Sequence, residues 1–304
     1  MRRSALGAVT VIACAAPGLG AACACGCGVF DVGTSSMFPT HTGGMVFVEE
    51  DYMNQDRNWS GPASAPAPAN PDKGIRSWFT TLGGEYLFNR SWGVMLEVPW
   101  WRRQFTTTLT DGSLGSFDHS AIGDVRLKAV YTGFSADLSS GLTLGVKLPT
   151  GDSSYPYFDP DVEIGSGSTD LLLGAYHLGS LSADNRWSWF VNAQWQKPMA
   201  HKSGYRPGGE LDAAAGVYYG GLSFGTMRVT PIAQIELSNR AHDGGPGGDP
   251  ADTGYTRVFA TPGVELDRGA LRIYADVGLP VYTNASGNQL MAPVIFKLNV
   301  SWHF

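Results

Sequence analysis

The sequence predicts an all-β chain that closes into a transmembrane antiparallel β-barrel of about twelve strands. Three observations carry this. Successive stretches alternate apolar and polar residues, the period of a strand with two unlike faces. Mean hydropathy is near zero. That excludes a helical membrane protein, whose spans need runs of about 20 apolar residues, while alternating barrel strands average out to neutrality. Finally, 40 Gly, 9 Trp, 12 Tyr and 14 Phe among 304 residues suit strands, tight turns and interfacial rings.

The first element is a secretory signal, residues 1–24. Arg2 and Arg3 form its basic end, Ala5 to Ala16 is apolar, Pro17-Gly18 breaks the run, and small residues fill Gly20 to Ala24. The apolar run is too short to span a membrane. The bland alternative is a buried amphipathic segment of a cytosolic protein. Losing Arg2 and Arg3 takes the net charge from -6 to -8, which argues against a nucleic-acid partner. All four cysteines lie between Cys14 and Cys27. The body therefore has no disulfide framework, as suits a chain that crosses an oxidising periplasm unfolded.

Residues 25–44 form a cysteine- and glycine-bearing segment, and residues 45–304 the barrel. Across the boundary between signal and segment, Cys23, Cys25 and Cys27 alternate with small residues. They could bind copper(I) or zinc, completed by a partner or by His41 and Met37. Cys23 could instead be lipidated after cleavage, or the cysteines could have no role. The segment could also enter the barrel as a plug.

Twelve alternating segments follow, near Val46–Met53, Ile75–Phe88, Trp92–Phe105, Ile122–Thr132, Leu142–Pro149 and Thr169–Gly179, then Trp187–Lys197, Glu210–Tyr219, Arg228–Ser238, Tyr255–Leu266, Leu271–Tyr282 and Ala292–Phe304. The connections alternate too. Asn89–Ser91 and Asp267–Gly269 are tight turns, and Gly133–Gly141, Ser180–Arg186 and Gly220–Met227 are short to medium. Asn54–Gly74, Thr106–Ala121, Thr150–Ser168, Pro198–Gly209, Asn239–Gly254 and Thr283–Met291 are mostly longer. Short turns at one end and long loops at the other match an even-stranded barrel with both termini periplasmic. Aromatics mark both ends. Trp92, Trp187, Trp189, Trp302 and Phe304 sit at the short-turn end, and Trp78, Trp100, Trp101 and Trp195 at the other, as two membrane interfaces favour. A soluble β-sandwich would not place valine and leucine on the solvent face of every strand.

With apolar faces outward, the lumen receives Glu85, Glu97, Arg103, Asp124, Arg126, Lys128, Lys147, Glu210, Asp212, Arg228, Glu236, Arg257, Glu265, Arg272, Asp276 and Lys297. The interleaved signs suggest either a water-filled passage with little charge preference or an ion-pair lattice stiffening the wall. Phe79, Phe190, Tyr218, Phe259, Tyr274 and Tyr282 are expected to face inward as well. A bore of twelve strands is modest, and these rings would favour a small, partly apolar solute.

The closing strand alternates Phe296, Leu298, Val300, Trp302 and Phe304 against Lys297, Asn299, Ser301 and His303. It resembles the last strand of bacterial outer-membrane barrels, whose terminal aromatic is read by the assembly machinery. That resemblance makes Trp302 and Phe304 an assembly signal. Three further motifs are Ile122-Gly123-Asp124 with Leu127 and Tyr131, Gly145-Val146-Lys147-Leu148-Pro149-Thr150-Gly151-Asp152, and Gly165-Ser166-Gly167-Ser168-Thr169-Asp170. Over Ala121 to Phe304 they resemble the outer-membrane barrel family named after the meta-pathway of phenol degradation, described as transporters distantly similar to the long-chain fatty-acid channel. The resemblance implies an outer-membrane channel for small hydrophobic or aromatic compounds, without catalytic residues. Its expected partners are outer-membrane lipid, the barrel assembly machinery and a small apolar solute; no cofactor is expected.

Two other readings are open. The barrel could anchor a surface or metal-handling protein built on the N-terminal cysteines. It could be a lipid-modifying hydrolase, for which His201 and Ser203 form the nearest His–Ser pair. Gly204 stands where the outer-membrane phospholipases carry Asn, and His201 falls in an expected loop. Asp152, Asp159, Asp161 and Glu163 could bind a divalent cation, against a solvated acidic loop.

Overall fold

The computed structural model describes Phe38, Pro39 and residues 42–304. The signal, Cys23, Cys25, Cys27, Met37 and His41 lie outside the described residues. The strands are β1 (Gly43–Gln55), β2 (Arg57–Gly61), β3 (Ala63–Ser64), β4 (Asp72–Leu87), β5 (Trp92–Thr108) and β6 (Leu114–Ile122). Next come β7 (Arg126–Tyr131), β8 (Ser140–Lys147), β9 (Ser168–Ser180), β10 (Trp187–His201) and β11 (Glu210–Tyr219). The series ends with β12 (Leu222–Phe224), β13 (Met227–Arg240), β14 (Tyr255–Arg268), β15 (Leu271–Met291) and β16 (Ile295–His303).

Neighbours in sequence pair antiparallel, and β16 pairs back onto β1, so the sheet is a closed barrel. It has twelve strand positions. β6 and β7 pair successive halves of β5 and share one position, while β2, β3 and β12 extend the hairpins. At the seam, Gly44 and Phe304 exchange two backbone hydrogen bonds of 2.8 Å. A Cβ at Gly44 would lie 2.6 Å from the Phe304 ring, so any other residue there would displace the ring from its place.

Burial follows the alternation inside out. On β16, Lys297, Asn299 and Ser301 are 6%, 1% and 1% exposed, whereas Phe296, Leu298, Val300 and Trp302 are exposed. The same inversion runs around the ring through Val46, Leu82, Leu96, Leu144, Leu173, Val191, Ile235 and Val264. Such an outer wall is satisfied by lipid, and it excludes the soluble sandwich.

Several expectations are corrected. The expected strand Ile122–Thr132 is interrupted after Ile122, and β7 starts at Arg126. The expected loop Thr106–Ala121 is mostly the β5–β6 hairpin. The expected loop Thr283–Met291 is the far half of β15, which pairs with β2 there. It reads as a loop because Gly287 adopts φ +62 where the register shifts. The closing strand accordingly begins at Ile295, and Ala292 turns into the core. Tyr282 faces outward, since a bulge opposite Val258/Phe259 reverses the parity of β15. Trp101 points inward beside Phe79, because its neighbour Trp100 takes the outer face. Arg228 is exposed at the end of its strand rather than enclosed.

Candidate functional site

Strand parity places the inward charges, and most of them are held by partners on the same or a neighbouring strand. Lys128 meets Glu97 at 3.0 Å. Lys297 lies 3.7 Å from Glu49 and 3.8 Å from Asp51. Arg272 contacts Asp267 at 2.7 Å and Glu265 at 3.8 Å. Glu210 accepts hydrogen bonds from Ser238 (2.9 Å) and the Tyr255 hydroxyl (2.7 Å). Gln234 donates to Glu236 at 2.9 Å, and the Tyr274 hydroxyl donates to Asp276 at 2.6 Å. The Arg257 guanidinium lies 4.0 Å over the Tyr255 ring. Asp212 is buried on β11, and Arg126 is half-buried at the edge of a lumen cavity. Buried charges persist because partners offset their desolvation.

The three sequence motifs converge at the interruption between β6 and β7. Asp124 accepts from the backbone N–H of Gly151 (3.0 Å) and of Ser166 (2.9 Å), and from the Ser166 hydroxyl (2.5 Å). Lys147 reaches Asp170 at 2.7 Å, Asp124 at 3.6 Å and the Ser166 hydroxyl at 2.8 Å. Gly151 and Gly165 pass so closely that a Cβ on Gly151 would lie 2.6 Å from the Gly165 Cα. This knot is the neck of the loop 148–167 between β8 and β9.

Beyond the neck the loop folds back into the barrel mouth. Phe158 and Val162 pack on Ile75, Phe105 and Leu290. Arg103, 1% exposed, donates to the carbonyls of Val162 (2.5 Å) and Glu163 (3.1 Å) and to the Ser77 hydroxyl (3.1 Å). Lys202 pairs with Glu163 at 2.5 Å, and burial still pushes the Glu163 carboxyl above its ordinary value. Burial, reinforced by Asp249, likewise raises Asp159. Burial also pushes the Tyr155 hydroxyl up to about 12. Sequence reading missed this docking. Its signal was the apolar set Phe158, Val162 and Ile164 inside an otherwise polar loop.

Deeper in the lumen lies an aromatic level. Phe38, which precedes β1, is buried there, stacked on Tyr176 at 4.7 Å and lying 6.0 Å from Phe190. Phe79, Phe259 and Tyr274 belong to the same cluster, and Tyr218 packs against it. Beside Phe38 is a cavity of about 110 Å³. Phe47, Met95, Val130 and Tyr176 give it apolar walls, and Glu85, Glu97, Lys128, Asn192 and Gln194 supply polar groups. A space of this order holds one small ring, as cavities of about 150 Å³ hold benzene.

The remaining candidates are not brought together. The His201 Nδ1 lies 3.0 Å from the Lys202 carbonyl, and no His201–Ser203 bond forms. His201 ends β10 rather than lying in a loop. Asp152 pairs with His119 at 2.9 Å and Glu163 with Lys202. Among the described residues no three His, Cys, Asp or Glu side chains gather to hold a metal.

No family model matches the chain, and no curated protein does. Solved structures do. The COG4313 outer membrane channel from Pseudomonas putida F1 superposes with a TM-score of 0.67 at 12% identity, covering 90% of this chain and 100% of that one. The beta domain of the Bordetella autotransporter BrkA (TM-score 0.48, 11% identity) covers 87% of this chain and 100% of its own. The P. putida toluene transporter TodX (TM-score 0.44, 12% identity) covers 86% and 90%. These last two share only a broad barrel outline. The chain has the fold of an outer-membrane β-barrel, closed by twelve antiparallel strand positions.

Proposed function

We propose that the chain is an outer-membrane channel for passive passage of small hydrophobic or aromatic compounds. The observation that carries this reading is the lumen itself. An inside-out wall encloses an aromatic level and a ring-sized cavity at Phe38, Phe47 and Tyr176. A barrel serving only as an anchor needs no such space. The meta-pathway family resemblance of the Asp124, Lys147–Asp152 and Gly165–Asp170 motifs points the same way. In this reading the short-turn end is periplasmic, loop 148–167 guards the outer mouth, and Phe38 narrows the inner half. Trp302 and Phe304 are the residues read by the assembly machinery.

The test is solute flux through the purified protein reconstituted in liposomes. Small aromatic alcohols are expected to enter faster than in protein-free vesicles, and faster still with Phe38→Ala. Vesicles that stay impermeable, even after removal of the segment before β1, contradict the reading.

A further inference from the structure

Glu85 stands apart from the lattice. It is 5% exposed and faces the cavity beside Phe38. Among the described residues its carboxyl makes no hydrogen bond and no ion pair, whereas the neighbouring Glu97 is held by Lys128 at 3.0 Å. The register explains the isolation. On β4, Glu85 lies directly between Met45 of β1 and Met95 of β5, two buried apolar side chains. A buried carboxylate without a partner is unfavourable unless a cation or a proton reaches it. Glu49 and Glu97, the other carboxyls lining the cavity, are held by Lys297 and Lys128. The field of Lys128 also reaches Glu85, but Glu85 is the carboxyl of this lining that no hydrogen bond or ion pair holds among the described residues. Phe47, Met95 and Val130 supply an apolar wall on one side, where methionine sulfur favours aromatic edges. Glu85 also lines a separate small recess with Gly43, Gly44 and His303 at the start of β1 and the end of β16.

We propose that this cavity binds a small organic cation: one ammonium head on a ring-sized apolar body, with the head on Glu85 and the body against Phe47, Met95 and Val130. The inference rests on the channel reading and names amine-bearing compounds as the solutes its cavity prefers.

The test is calorimetric titration of the purified full chain in detergent with benzylammonium, the neutral isostere benzyl alcohol, and benzoate. Benzylammonium is expected to bind about tenfold tighter than benzyl alcohol, with benzoate weakest. Glu85→Gln should erase the difference between the first two while leaving benzyl alcohol unchanged. Met95→Phe, which fills the cavity from the next strand and keeps the carboxylate, should abolish binding of both. Equal binding of the amine and the alcohol, or a preference that survives Glu85→Gln or Met95→Phe, overturns the proposal; a protonated Glu85 gives the first of these results. Liposome flux separates the two readings. Impermeable vesicles around a protein that still prefers benzylammonium would remove the channel and leave the site. Permeable vesicles around a protein with no such preference would remove the site.

Discussion

Lys297 shows how one residue is specified and what its loss would do. Its neighbours Phe296 and Leu298 face lipid, which turns the lysine into the wall between Glu49 and Asp51. Lys297→Met would leave the buried Asp51 and the half-buried Glu49 without their cation. Breaking a buried pair in this way costs about 3–5 kcal/mol, so the folded-to-unfolded gel shift of the variant should occur at a lower temperature than in the parent. Arg103→Met should behave differently. It removes charge-assisted bonds worth about 1.5–3 kcal/mol each to loop carbonyls. Exchange at residues 158–164 should therefore accelerate while exchange in the strands stays unchanged. The direction of these side chains was legible, because a period of two needs no partner to be seen. Tyr282 was not, since the bulge that reverses it is a property of β14 and β15 together. The isolation of Glu85 was equally hidden, because it depends on which residues lie opposite in β1 and β5.

At the scale of elements, the loop 148–167 and the interruption of β6–β7 are one device. Asp124 leaves the ladder in order to bind Gly151 and Ser166, and that draws the loop back over the mouth. Glu163 gives the docked loop a pH dependence. Burial holds its carboxyl above the ordinary value, so the docked loop binds that proton more tightly than a released loop does. This contribution to docking is complete at acid pH and is lost as pH rises through the raised pKa. Once intrinsic rates are divided out, exchange at 158–164 should be faster at about pH 8 than at about pH 5, and Glu163→Gln should shrink that difference to the part that the raised Asp159 contributes. The strand positions were legible from alternation, and the motifs marked the knot by its glycines. The long β5–β6 and β2–β15 extensions were not legible. Polar residues cover both faces there, since both lie beyond the lipid-facing band, and alternation loses its contrast.

At the scale of the molecule, closure depends on the β1–β16 seam and its last pair, Gly44 with Phe304. Deleting Phe304 should lower the yield of assembled barrel, read by heat-modifiable migration, more than it alters the solute preference of whatever assembles. Unchanged yield would count against Phe304 as an assembly signal. The twelve-fold closure was legible through parity alone: short and long connections must alternate, and the closing strand must return to the side of the first. The interior was less so, because Phe38 and the loop enter it from segments that carry no periodicity. The central claim is that the lumen is a path for small apolar solutes, narrowed at Phe38. Its most direct test is the initial rate of benzyl alcohol entry into liposomes carrying the protein. The account predicts a rate above that of protein-free vesicles, raised further by Phe38→Ala. Rates equal to the protein-free control for both proteins would contradict it.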